Sequence, residues 1–282
     1  MIAKNPMQLK AFVKNKARES GISPQLVMQN FMMERLLERI SLSKYRENLI
    51  LKGGFLIAAI VGLDARATMD MDATVKGLDL EHEFIQRIFE EICAIVVDDN
   101  ITFSLSRTTE IREGDIYPGL RVHLTANYSP LAVPIVVDIT TGDKITPHEV
   151  EYSYRLMFGE RNISIMAYNV ETILAEKLET ILSRGVANTR PRDYYDIYIL
   201  RAMRGGEYNL SILKRALAET AKRRNSEYIL EQYHEIVKTI KSSPELGGFW
   251  ERYRQDYRYA KDVNFEETCD AVLSLMNSIS NV

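Results

Sequence analysis

Polar and apolar positions alternate without a break through residues 66 to 75, RATMDMDATV. Arg66, Thr68, Asp70, Asp72 and Thr74 stand against Ala67, Met69, Met71, Ala73 and Val75. A period of two belongs to a half-buried strand, whose successive side chains point to opposite faces. Asp70 and Asp72 then share a face, with backbones about 7 Å apart from the rise per residue. Plain solvation accounts for such a face, and so does a bound metal.

The pattern on either side gives this stretch a setting. Residues 1 to 45 read as two helices broken at SGISP, with Ser23 as N-cap and Pro24 at the first helical position, where its missing N–H costs nothing. The second helix carries Leu26, Val27, Phe31, Met33, Leu36, Leu37 and Ile40, mostly on one stripe. A helix pair with a tight glycine turn is either packed structure, the commoner case, or a helix-turn-helix reader. NLILKGG then reads as a short strand running into two glycines, FLIAAIVGL as a buried helix, and residues 81 to 97 as an amphipathic helix. Short strands follow at ITFSLS, LRVHLTANY, PIVVDIT and ISIMAY.

From Asn169 onward the pattern is helical. NVETILAEKLETILSR is capped by Asn169, and RPRDYYDIYILRAMR has Pro191 near its start. Four further segments are broken near Gly206, Asn225, Pro244 and Asn264. The order predicts an α+β fold. A mixed β-sheet domain with N-terminal helices covers residues 1–168, and an all-helical domain covers 169–282.

Composition narrows the classes. With 46% hydrophobic and 27% charged positions over 282 residues, the chain is a soluble globular protein with ample core. The net charge of −3 makes no global case for nucleic-acid binding. Locally, residues 177 to 224 hold eleven Lys/Arg against five Asp/Glu, either solvated helix faces or a track for phosphates. Cys93 and Cys269 are too few and too distant for a disulfide framework or a cysteine-based zinc site. His82, His123, His148 and His234 include no pair at helical metal spacing. The longest uncharged apolar run, GGFLIAAIVGL, is too short to span a bilayer, and the N-terminus lacks a secretory h-region. No membrane association is expected, and the reducing cytoplasm is the expected compartment.

Four places carry candidate chemistry. Gly53 and Gly54 lie between a strand and a helix start, where free N–H groups favour anions. Asp70 follows Gly54 by sixteen residues, room for one helix and a turn, so the two strands can be neighbours in one sheet. Asp138, inside the apolar run PIVVDIT, is costly to bury unless paired or bound to metal, and is a candidate third acid or a loop cap. Lys177 falls inside the stripe Val170, Ile173, Leu174, Leu178, Ile181, with Glu176 and Glu179 pointing the other way. It either snorkels to the surface or reaches a buried anion. Asp193 and Asp196 lie three apart on the next helix, as dipole partners or as members of a polar cluster.

The ordered set Lys52-Gly53-Gly54, Arg66-x-Thr68-x-Asp70-x-Asp72, AEKLET and RPRDYYD resembles the AbiEii/AbiGii nucleotidyltransferase toxins. These are toxin components of bacterial type IV toxin–antitoxin systems. The motifs run in the family's order from residue 52 to residue 196, and the helical regions on either side look alike as well. The resemblance implies a polymerase-β-like nucleotidyltransferase fold with a helical C-terminal domain. It implies a nucleoside triphosphate, GTP or CTP among the candidates, held at Gly53 and Gly54 with Lys52, Arg66, Thr68 and Asp196 around it. Asp70 and Asp72, with Asp138 as a third acid, would bind Mg²⁺. Lys177 and Asp193 match positions used for catalysis or nucleotide contact. Gly54 departs from the Gly-Ser of general nucleotidyltransferases, which removes a hydroxyl contact to phosphate.

The implied partners are an RNA acceptor such as tRNA and an antitoxin encoded nearby that forms no stable complex. The implied role is abortive infection, an antiviral defence. Two other readings stay open: a small-molecule, antibiotic-type nucleotidyltransferase, and a non-catalytic nucleotide-binding sensor with the N-terminal helices as reader.

Overall fold

The computed structural model describes residues 5–111 and 119–282, which fold as two compact units. The first comprises Met1–Asp143 and Val150–Ala167, the second Lys144–Glu149 and Tyr168–Val282.

In the first unit, α1 (Pro6–Ser20) and α2 (Pro24–Leu42) precede β1 (Leu49–Lys52), α3 (Gly53–Val61), β2 (Met71–Val75) and α4 (His82–Cys93). Then come β3 (Thr102–Ile111), β4 (Gly119–Tyr128), β5 (Leu131–Thr141), β6 (Val150–Arg155) and β7 (Asn162–Ala167). The strands form one mixed sheet in the order β3-β4-β5-β2-β1-β7-β6. β1 runs antiparallel to β2, and β2 runs parallel to β5. β6 falls in a stretch the hydrophobic pattern leaves unassigned. It is an edge strand in which exposed Glu151, Ser153 and Arg155 alternate with more buried Val150, Tyr152 and Tyr154, and charged side chains of this kind keep edges from pairing further.

Ser23 caps α2 by accepting the Leu26 N–H, and residues 30 to 40 of this helix are buried without interruption. The expected single stripe therefore understates the burial. Its charged positions are inside, and each is paired. Arg39 donates a fork to Asp99 at 2.9 Å through both nitrogens, and Arg35 bridges Glu34 and Glu38 at 2.6 Å each. Burial of charge is tolerable only with such partners. Over residues 30 to 40 this helix therefore presents no open face to a nucleic acid.

The strand expected over residues 66 to 75 is regular only from Met71 onward. Before it, side chains of α2 bind the backbone: Asn30 Nδ2 donates to the Thr68 carbonyl and Gln29 Nε2 to that of Met69, both at 2.7 Å. Those carbonyls are satisfied without a strand neighbour. The expected wet and dry sides are inverted here, since Arg66 is 3% exposed while Met69 is 45% exposed.

The second unit contains α5 (Val170–Arg184), α6 (Pro191–Arg204), α7 (Leu210–Arg223), α8 (Ile229–Lys241), α9 (Pro244–Asp256) and α10 (Phe265–Ser280). Asn169 caps α5 by accepting the Thr172 N–H at 2.7 Å. Its amide donates to the carbonyls of Thr146 and His148 at 2.9 Å, which ties the Lys144–Glu149 segment to the helices. Tyr195, Trp250 and Tyr253 form an aromatic core, with the indole N–H bonded to the Val263 carbonyl at 3.0 Å. Among the described residues, no helix is long and apolar enough to cross a membrane.

Candidate active site

Four polar residues stand in one row across the middle of the sheet. Lys52 on β1 pairs in register with Asp72 on β2, Asp72 with Asp138 on β5, and Asp138 with Arg121 on β4. Side chains in register project from the same face, with adjacent backbones about 4.8 Å apart. The row therefore alternates cation, anion, anion, cation.

The loop entering α3 closes over this row. Gly53 has φ +68°, a left-handed conformation that favours glycine, and its Cα lies against Asp72. A Cβ there would come within 2.7 Å of Asp72 Cγ. The Lys52 side chain does not cap α3, and the N–H groups of a helix start suit an anion.

Gly54, where general nucleotidyltransferases carry serine, has a local explanation. A Cβ at this position would be 3.0 Å from both Arg66 Nη2 and Thr68 Oγ1. The space beneath the loop is filled by a buried guanidinium and a hydroxyl that come from the segment before β2. Thr68 Oγ1 in turn donates to Asp70 Oδ1 at 2.7 Å, which orients the first acid of the DMD pair. Loop, Arg66, Thr68, Asp70 and Asp72 thus form one connected group.

Lys52, assigned to nucleotide contact by the sequence, is buried with its ammonium engaged. Nζ donates to Thr140 Oγ1 at 2.6 Å and to Asp143, which also accepts from Thr74 and, at 2.8 Å, from Thr140. Burial alone would raise the Asp143 carboxyl. The Lys52 charge and the two threonine hydroxyls overcome it and hold the group well below the usual carboxylate range.

Asp138 reaches the same face as Asp72, but both its oxygens are occupied. Arg121 Nε donates to Oδ1 at 2.7 Å and Nη2 to Oδ2 at 2.8 Å. The hydrogen bonds to Asp138 raise the guanidinium pKa, and the charges of Asp70 and Asp72 add to the rise. All three carboxylates thus favour positive charge at this place, and oxygen donors of this kind suit Mg²⁺. No cluster of three His, Cys, Asp or Glu side chains that could hold a metal is assembled among the described residues. Asp70, bonded to Thr68, and Asp72, beside Gly53, are the candidate acids not forked by Arg121.

In the second unit, the Lys177 ammonium sits between two buried carboxylates, 2.6 Å from Asp193 Oδ1 and 2.9 Å from Asp196 Oδ2. Of the two sequence readings, the buried anion is realised and snorkelling is not. Asp196 is completely buried, and Asp193 Oδ2 is buried with no hydrogen-bond partner among the described residues. Glu179, expected on the solvent side of α5, is instead buried, held by Arg224 and by Ser226 Oγ at 2.8 Å. Lys177, Arg204 and Arg224 of the 177–224 surplus are therefore engaged by acids. Arg190, Arg192, Lys214, Arg215 and Lys222 are exposed.

Arg121 and Asp143 are missed by the sequence reading. Register brings Arg121 to the row, and Asp143, just past β5, is held beside it by bonds from Lys52, Thr74 and Thr140.

The model of a protein family described as "Nucleotidyl transferase AbiEii toxin, Type IV TA system" matches residues 35–271. Among solved structures, JHP933 from Helicobacter pylori has a similar fold, with a TM-score of 0.51 at 15% identity over 92% of this chain and 93% of that one. A candidate nucleotidyltransferase from H. pylori is similar at a TM-score of 0.50 and 16% identity, over 92% of this chain and 96% of that one. No curated protein matches the sequence.

Proposed function

Since this chain belongs to the AbiEii family of type IV toxin–antitoxin nucleotidyltransferases, we propose that it transfers a nucleotide from a nucleoside triphosphate to a hydroxyl of RNA, such as a tRNA. The observation that carries this reading is the contact between the Gly53–Gly54 helix start and the Asp72 carboxylate. It supports the reading because a helix start suited to phosphate and a carboxylate suited to a cation meet there, the combination phosphoryl transfer needs.

In this reading the α3 N–H groups bind the triphosphate, and buried Arg66 adds positive charge beneath them. Asp70, oriented by Thr68, and Asp72 hold Mg²⁺, which when bound supplies charge neutralisation at the reacting phosphate. Lys177 and Asp193 take the catalytic or nucleotide-contact roles of the family pattern, with Asp196 fixing the ammonium. Lys52, held by Asp143 and Thr140 at the end of β1, adds positive charge beside the loop. The exposed cations of residues 190 to 222 suit a polyanionic acceptor. The product would arrest growth during phage infection in the cytoplasm, and a neighbouring antitoxin would oppose it without a stable complex.

The test supplies each labelled nucleoside triphosphate, GTP and CTP included, with cellular RNA or with small hydroxyl acceptors. Label should enter RNA with Mg²⁺ present, and Asp70→Ala should abolish incorporation while leaving the fold intact. Label on small acceptors alone, or incorporation by Asp70→Ala, rejects the reading.

A further inference from the structure

In the row of four residues, the charge of Asp138 is matched by Arg121. Asp70 and Asp72 form the proposed metal pair, and a third acid, Asp138, lies in register beside Asp72 on β5. That third acid is not left to join them. Arg121 approaches it from β4 in the planar fork geometry that matches a carboxylate, with both bonds short and both Asp138 oxygens used. The Arg121 side chain is 41% exposed while that of Asp138 is 14% exposed, so the cation lies on the open side of the pair. An arginine placed only for stability would gain little there. Forked onto Asp138 and within the field of Asp70 and Asp72, it supplies charge that a divalent ion would otherwise bring.

We propose that Arg121 is a positioning residue that competes with the divalent cation for Asp138, restricting metal binding in the nucleotide-free protein to Asp70 and Asp72. A guanidinium forked onto both oxygens takes one lone pair of each and sets its positive charge against an approaching divalent ion, so it opposes chelation by Asp138. Held by Arg121, Asp138 contributes its field without becoming a ligand. The affinity for free cation is kept low, and full loading is deferred until triphosphate oxygens complete the coordination. The idea rests on the assignment of Asp70 and Asp72 as the metal pair.

The experiment is a titration of the full nucleotide-free chain with Mn²⁺, followed by electron paramagnetic resonance of the free ion. Arg121→Ala should tighten Mn²⁺ by about three- to fivefold, the scale of a partly exposed ion pair. Asp138→Asn in the otherwise native chain should change affinity by less than about twofold, because its oxygens are already taken. Combined with Arg121→Ala, the same change should cancel the gain. This separates release of Asp138 from the mere loss of a positive charge. Arg121→Lys keeps the charge but loses the fork and should give a smaller gain, and it carries the comparison if the alanine variant does not fold. Unchanged or weaker Mn²⁺ binding by both Arg121 variants overturns the proposal. So does a gain that survives Asp138→Asn. If Asp70→Asn leaves Mn²⁺ binding intact, the metal pair itself is misassigned and the proposal falls with it. If Asp70→Asn abolishes binding while the Arg121 variants do nothing, only the competition is wrong.

Discussion

The carboxylate of Asp72 fills the space that a side chain at Gly53 would need. Glycine is required there twice over, by its φ of +68° and by the acid beside it. Gly53→Ala should therefore lose roughly 1–2 kcal/mol from the left-handed backbone, plus the displacement of Asp72. In an Asp72→Gly background only the backbone share should remain. Thermal unfolding of the two single variants and the double variant measures the difference, and equal losses in both backgrounds would show that the two positions do not touch.

Removing the charge between Asp193 and Asp196 should unsettle the helical unit. Lys177→Met leaves two buried carboxylates without their cation, a change of about 3 kcal/mol. Trp250, the single tryptophan, lies in the core of that unit and reports its unfolding in urea directly. Asp193→Asn together with Lys177→Met should recover part of the loss, since one uncompensated charge is then gone.

Asp143→Asn should strand the Lys52 ammonium, again by about 3 kcal/mol. The sign of the pH dependence follows from the lowered pKa. The stabilisation is complete above the ordinary carboxylate value of 3.8 and disappears as pH falls through the lower value of the folded protein. Urea midpoints measured from pH 7 downward should converge for the native chain and the variant only in acid.

Glu34 behaves in the opposite sense. Burial is the main influence on its carboxyl and raises it to about 7, against the lowering influence of Arg35 and of the Met157 N–H. Between 4.5 and 7 the folded protein holds a proton that the unfolded chain releases, so stability declines as pH rises through that window and then levels. The steepest slope is about 1.4 kcal/mol per pH unit. Glu34→Gln should flatten it; an unchanged slope would place the titrating group elsewhere.

What the chain disclosed about itself was governed by the range of the interactions. Short-range signals were sufficient for the capped starts of α2 and α5, for the Gly53–Gly54 turn into α3, and for the lysine misplaced on an apolar stripe. Each depends on residues within a few positions. Binary patterning misjudged α2, because it treats charge as exposure, while Glu34, Arg35, Glu38 and Arg39 satisfy one another or more distant partners inside. It misjudged residues 66 to 70 for a related reason: buried Arg66 and Thr68 support the loop at Gly54, a contact that helix and turn separate from them along the chain. Arg121 was invisible because its meaning lies in the β4–β5 and β5–β2 registers, which no local pattern specifies.

The small segment Lys144–Glu149 has a consequence for how this protein can be divided. The backbone leaves the sheet unit after Asp143, contributes six residues to the helical unit, returns for β6 and β7, and departs again at Tyr168. A gene cut once between the halves would leave one fragment without the carbonyls of Thr146 and His148 that anchor Asn169. The two halves are therefore not exchangeable cassettes, and a homologue that swapped either one whole would have to carry the short excursion with it.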